Sequence, residues 1–204
     1  MQPPERPISA SPDGDLEPML RFLRRFAELS SEEIEIVKAA CSVRTYRKGE
    51  WITRSFSETS DGYFLLKGTV AMLRTLDERE WVSEIFFEGE PLIPAATSPS
   101  EGEEHQLRCL DDCEVAETPG DQIESQVRRS PGFESICRQM SEERLRRSMR
   151  WNDKFRQATP RERYDFALQE RPQLAQRVPQ YLLASLLGIT PETLSRIRRQ
   201  IAEE

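Results

Sequence analysis

The segment Val178 to Arg199, VPQYLLASLLGITPETLSRIRR, constrains the fold more than any other part of this chain. Counted from Gln180, small Ala184 falls fifth and Gly188 ninth, while Leu183, Leu187, Ile189, Leu194 and Ile197 take the positions that must turn inward. A small residue and a glycine at these places let two short helices cross closely at a tight turn. Pro179 suits the first turn of the first helix, where a missing N–H costs nothing. Thr190 then offers a hydroxyl N-cap, Pro191 a second first-turn proline, and Glu192 a negative charge against free N–H groups. The spacing predicts a helix-turn-helix whose second helix begins at Thr190.

With Leu194 and Ile197 inward, Glu192, Thr193, Ser195, Arg196 and Arg199 fall on or near the outer surface. Glu192 and Arg196 share one side, four residues apart. Arginine can hold guanine O6 and N7 together and glutamate can accept from cytosine N4, so this pair can read a G·C base pair in a major groove. Gln180, Thr193, Ser195, Arg198 and Arg199 are expected to position the helices on phosphates. The competing reading is an amphipathic hairpin with a solvated Glu192–Arg196 ion pair. Turn, cap, core spacing and outer face together favour double-stranded DNA.

The bulk charge argues the other way, because 29 basic and 36 acidic residues give −7. Its distribution restores the argument. Residues 138 to 204 hold 14 Arg and Lys against 9 Asp and Glu, a balance of +5, and residues 1 to 137 hold 15 against 27, a balance of −12. Such a chain can touch phosphates with one end only.

At 204 residues there is room for two small domains, each with its own core. No apolar run is long enough to span a bilayer, and MQPPERPISASPDGDLEP lacks the apolar centre of a signal peptide, so no membrane association and a cytoplasmic location are expected. That opening, residues 1 to 18, reads as a disordered tail. Cys41, Cys109, Cys113 and Cys137 form no C-x-x-C pair and read as reduced core residues rather than an iron–sulfur set. His105 is the single histidine, which leaves few parts for a zinc site, a histidine-based triad or a haem ligand. Neither a metal nor a cofactor is expected.

Between the tail and the closing motif the hydrophobic period changes twice. Pro18 to Phe26 and Ser30 to Ala40 read as helices, the second capped by Ser30 or Ser31 with Ile34, Val37 and Lys38 at helical spacing. From Val43 to about Thr118, short runs such as YFLLK, VAMLRTL, WVSEIFF and CEVAET alternate with Lys48-Gly49, Asp61-Gly62, Lys67-Gly68 and Glu88-Gly89. Many short strands with close turns predict a β-roll or barrel. Pro131 to about Gln157 reads as one helix, roughly 35 to 40 Å long at ~1.5 Å per residue.

This order, with KGEWI, GYFLLKGTV and FEGE in the roll and ITPETLSRIRR at the end, resembles the Crp/Fnr family of bacterial transcription regulators. Within it the chain is most similar to the short Bacteroidetes-type members, through RYDFALQERP and RVPQYLLASLLGITPETLSRIR. The resemblance implies an α+β fold: a cyclic-nucleotide-binding-like double-stranded β-roll over 19–130, a long dimerisation helix over 131–157, and a winged-helix-like helix-turn-helix domain over 158–204. Gln200 to Glu204 leave little room for a wing. It also implies a homodimer on a palindromic operator, with RNA polymerase as a further partner, and no enzyme activity. The a/d pattern of the long helix is not strict, so packing on its own roll is the alternative there.

Family members that bind cyclic AMP carry a Gly-Glu pair on the ribose and, some ten residues later, an Arg-Ser or Arg-Thr on the cyclic phosphate. Gly89 and Glu90 match the first pair, and alignment back from CEVAET puts Glu103 and Glu104 at the second. Carboxylates facing an anionic phosphate repel it by several kcal/mol before relaxation, so the expectation is a degenerate pocket that does not take cyclic AMP. Arg108 is the nearest cation that could swing in. Two other readings stand beside this one: a nucleotide-, haem- or redox-responsive member of the same family, and an enzyme on a cupin-like roll, which would need more metal ligands than one histidine supplies.

Overall fold

The computed structural model of the 204-residue chain describes residues 10–11, 14–53, 61–76, 79–93 and 104–203. Two antiparallel sheets face each other in a roll, followed by helices, which is the expected α+β order. The strands are β1 (Ala10–Ser11), β2 (Ser42–Tyr46), β3 (Trp51–Thr53), β4 (Gly62–Lys67), β5 (Thr69–Leu76), β6 (Arg79–Phe87), β7 (Glu90–Pro91), β8 (Glu104–Cys109) and β9 (Cys113–Thr118). One sheet runs β1-β2-β9-β4-β7 and the other β3-β8-β5-β6.

Helices α1 (Glu17–Leu23) and α2 (Ser31–Ala40) precede the roll. The first is shorter than its apolar pattern suggested, closing in a turn where Phe26 N–H bonds Leu23 O. The second opens on a capping box: Glu33 N–H donates to Ser30 Oγ at 3.2 Å, and Ser30 N–H to Glu33 Oε2 at 2.9 Å. Within the expected tail, Ala10 and Ser11 pair with Arg44 and Val43 of β2 and α1 already begins at Glu17; residues 1–9, 12 and 13 lie outside the described residues.

Strand β5 explains how the two halves of the chain meet. Val70 to Leu73 are all buried, because the strand is covered on both faces. Val70 and Met72 point into the roll with Leu65, Phe86, Leu107 and Val115. Ala71 and Leu73 point outward, where they join Val82, Ile85 and Phe87 of β6. A register shift between Met72 and Leu73 puts Val82 on the same side as Ile85 and Phe87, as an extra residue in one strand reverses the alternation.

Six helices complete the chain: α3 (Gly120–Arg129), α4 (Pro131–Gln157), α5 (Pro160–Glu170), α6 (Gln173–Arg177), α7 (Gln180–Leu187) and α8 (Pro191–Glu203). The bounds of α4 follow Pro131 at its first turn and Ala158-Thr159-Pro160 after it; Thr159 and Glu162 form a second capping box that starts α5. Its 27 residues span about 40 Å. The apolar residues of α5 to α8, Tyr164, Ala167, Leu174, Leu183, Leu187, Leu194 and Ile197, pack in one cluster with the outward residues of β5 and β6. The helical half therefore shares its core with the roll, where two separate cores were expected. Cys109 and Cys113 are buried and Cys41 is half-buried, all as free thiols, but Cys137 lies on the exposed side of α4 rather than in a core.

Candidate nucleic-acid interface

The crossing of α7 and α8 is built around Gly188, which ends α7 in the left-handed region at φ +63°. A Cβ there would meet nothing closer than 3.5 Å, so conformation and not space selects glycine. Ile189 N–H returns to Ala184 O at 3.0 Å, which closes the turn. Ala184, Leu183, Leu187, Leu194 and Ile197 are buried as the spacing predicts, and Ile189 is half-buried. Pro179 stands one place earlier than a first-turn residue, as the N-cap of α7.

Thr190 caps α8, accepting from Thr193 N–H at 3.2 Å. The Glu192 carboxyl is held below its usual range, chiefly by its own backbone N–H and then by the Thr190 hydroxyl. Its charge thus serves the helix end. Among the described residues no ion pair joins Glu192 to Arg196.

Gln180, Glu192, Ser195, Arg196 and Arg199 are exposed, while Thr193 and Arg198 are half-buried. Among the described residues, Arg196, Arg198 and Arg199 have no carboxylate partner. Arg144, Arg147, Arg150, Arg171 and Arg177 are each paired. The second helix of the motif thus carries three arginines within four residues that a phosphate backbone could complete.

Two residues of this surface carry no sequence signal for their part. Tyr181 is 58% exposed on α7 beside Gln180. Arg163 donates from Nε to Ala158 O at 3.1 Å and from Nη1 to Leu187 O at 3.4 Å, joining the end of α4 to the turn before Gly188.

The residues matched to a nucleotide pocket are placed as follows. Gly89 makes the turn between β6 and β7 at φ +85°, with its N–H on Leu65 O at 2.8 Å. Glu90 faces the helices: Oε2 accepts from Phe87 N–H at 2.9 Å and from Arg171, and Oε1 accepts from Arg147 Nη1 at 3.3 Å. Glu104 opens β8 opposite Thr75. Glu103 lies outside the described residues. Arg108 lies on β8 with its guanidinium 5.5 Å above the Trp51 ring, and His105 is buried two strands in, opposite Arg74.

No family model matches the chain, and no curated protein does. Solved structures do match. FixK2 from Bradyrhizobium japonicum superposes with a TM-score of 0.69 at 19% identity, covering 80% of this chain and 85% of that one. The regulator CLP from Xanthomonas campestris, described as responsive to c-di-GMP, gives 0.64 at 21% identity over 85% and 92%. A protein of the Crp/Fnr family from Eubacterium rectale gives 0.65 at 14% identity over 85% and 84%. The chain has the fold of the Crp/Fnr transcription regulators, a β-roll joined by a long helix to a helix-turn-helix. No helix among the described residues is long and apolar enough to cross a membrane.

Proposed function

We propose that the protein is a sequence-specific, DNA-binding transcription regulator that acts as a cytoplasmic homodimer on a palindromic operator. One observation carries the reading: the exposed side of α8 presents arginines without carboxylate partners, on a helix whose opposite side is fully packed. Arg196 and Glu192 read bases, and Gln180, Thr193, Ser195, Arg198 and Arg199 hold phosphates. The fold supports this assignment, and RNA polymerase is its natural further partner.

Residues 19–130 act as the sensor, 131–157 as the dimerisation helix and 158–204 as the DNA-binding domain. Pairing through α4 is supported by Leu145 and Met149, which are 54% and 56% exposed and four residues apart on that helix. One recognition helix reads too few base pairs for useful specificity, whereas two about 34 Å apart read both halves of a palindrome. Cyclic AMP is not the effector in this reading, since the Glu90 oxygens are already engaged by two arginines and a backbone N–H.

Selection of bound sequences from a random DNA pool, with and without cyclic AMP and cyclic GMP, tests the proposal. A palindrome with half-sites about one helical turn apart is the expected result, unchanged by either nucleotide. No enrichment would overturn the DNA assignment, and a nucleotide-dependent site would overturn the assignment of the pocket.

A further inference from the structure

One carboxylate joins three parts of the fold. Glu90 of β7 accepts from Phe87 N–H of β6, from Arg147 of α4, and from Arg171 in the link between α5 and α6. Arg171 is 9% exposed. Its second terminal nitrogen, Nη1, donates to Ile85 O at 2.5 Å, and its guanidinium lies 4.8 Å above the Phe87 ring. A planar cation fixed at both ends and stacked on a ring has one orientation. Arg171 also carries the chain between helices, its N–H closing α5 on Ala167 O at 2.9 Å and its carbonyl accepting from Leu174 N–H of α6 at 3.1 Å.

Among the described residues, five ion pairs run from the strands and turns of the roll to α4, α6 and the α5–α6 link, and in each the roll supplies the carboxylate. They differ in burial. Arg177 meets Glu88 and Asp111 in largely open positions, where solvent weakens the attraction. Arg144 and Glu84 are half-buried, but they tie only α4 to β6. Arg171, itself buried, and the partly exposed Glu90 form the pair that reaches the link leading into the helix-turn-helix.

Resting on the DNA-binding reading above, we infer that Arg171 and Glu90 are positioning residues that fix the angle of α8 relative to α4, and so select the half-site spacing a dimer accepts. Beyond α4 the backbone turns extended at Ala158, a joint about which the helices that follow could swing. The apolar core shared by α5 to α8 with β5 and β6 limits that swing without fixing a direction, and the Glu90 node adds directional bonds to it. Two recognition helices held at one separation match DNA at one spacing, whereas loosely held ones match several.

The full chain, Glu90→Gln and Arg171→Lys are each presented with the half-site recovered for the wild type, repeated as a palindrome with spacers of varied length. The wild type should enrich one spacer. Glu90→Gln should enrich two or more, with affinity for the best one lowered about tenfold and the half-site sequence unchanged. Arg171→Lys should fall between them, since a lysine keeps the charge but cannot reach Ile85 O and Glu90 together. Wild-type spacing and affinity in both variants would overturn the inference, as would an equal loss at every spacer, which assigns the pair to stability alone. A wild type that enriches no half-site would overturn the DNA reading itself, and this inference with it.

Discussion

Val82 N–H on β6 donates to Ser185 Oγ on α7 at 3.0 Å, so the first helix of the motif is hydrogen-bonded to the edge of the roll. β6 is the outer strand of its sheet, and a bare edge leaves backbone groups unpaired. Ser185→Ala removes the acceptor while Val82 stays buried. It should lower stability by about 1–2 kcal/mol, read from urea unfolding. An unchanged midpoint would show that water replaces the hydroxyl.

On α4 the apolar pair Leu145 and Met149 faces away from the roll core. Replacing both by glutamate should give a monomer by sedimentation equilibrium, because four like charges would face one another across a two-fold interface. Affinity for a palindrome should then fall to that for a single half-site. A dimer of unchanged strength would place the interface elsewhere.

Arg196 and Arg199 have separable roles and so separable outcomes. Arg196→Ala should lose about 1–3 kcal/mol on the preferred operator and relax selectivity at one base pair. Arg199→Ala should weaken all sequences alike and lower the salt slope by about one. Uniform loss for Arg196, or an unchanged slope for Arg199, would reverse these assignments.

Glu33 gives the fold a defined acid response. Its carboxyl is held below the usual 4.5 by the Ser30 backbone N–H, then by the Ser130 and Ser30 hydroxyls. A depressed carboxylate contributes stability above its unfolded value and loses it as pH falls through the folded one. Glu33→Gln should therefore be less stable by about 0.5 kcal/mol at neutral pH, a small effect for a group at the surface and only half-buried. The difference should close below pH ~4.5, and a gap that persists at lower pH would mean that shape and not charge is lost.

Local signals placed most of these elements, and long-range contacts explain what they missed. Ser30-x-x-Glu33, Pro131 and the Gly188 turn declare themselves within a few residues, so α2, α4 and the α7–α8 crossing were legible. α3 was not, because its start is held from afar, with Gly120 N–H on Asp61 Oδ1 at 2.9 Å across 59 residues. The role of Glu90 was hidden for the same reason, since its partners lie 57 and 81 residues away. The split between an acidic first part and a basic second part was visible as a DNA signal. It also docks the helices on the roll, which no periodicity reveals.

Two glycines with left-handed backbones separate conformational from steric demand. Gly188 at φ +63° has room for a Cβ, with Arg163 Nη1 at 3.5 Å. Gly188→Ala should thus cost only the backbone strain, about 1–2 kcal/mol, and Gly188→Asn less. Gly68, between β4 and β5, has φ +104° and no room. A Cβ there would lie 2.6 Å from Cys113 Sγ and 2.8 Å from both Asp111 Oδ1 and Asp112 O. The same Asp111 oxygen accepts Thr69 N–H at 2.6 Å, so moving it disturbs the start of β5. Gly68→Ala should add about 1–3 kcal/mol of overpacking to a similar strain. Urea unfolding of the two alanine variants decides the matter: Gly68→Ala is expected to be clearly the weaker, and equal costs would mean that the turn around Asp111 yields freely.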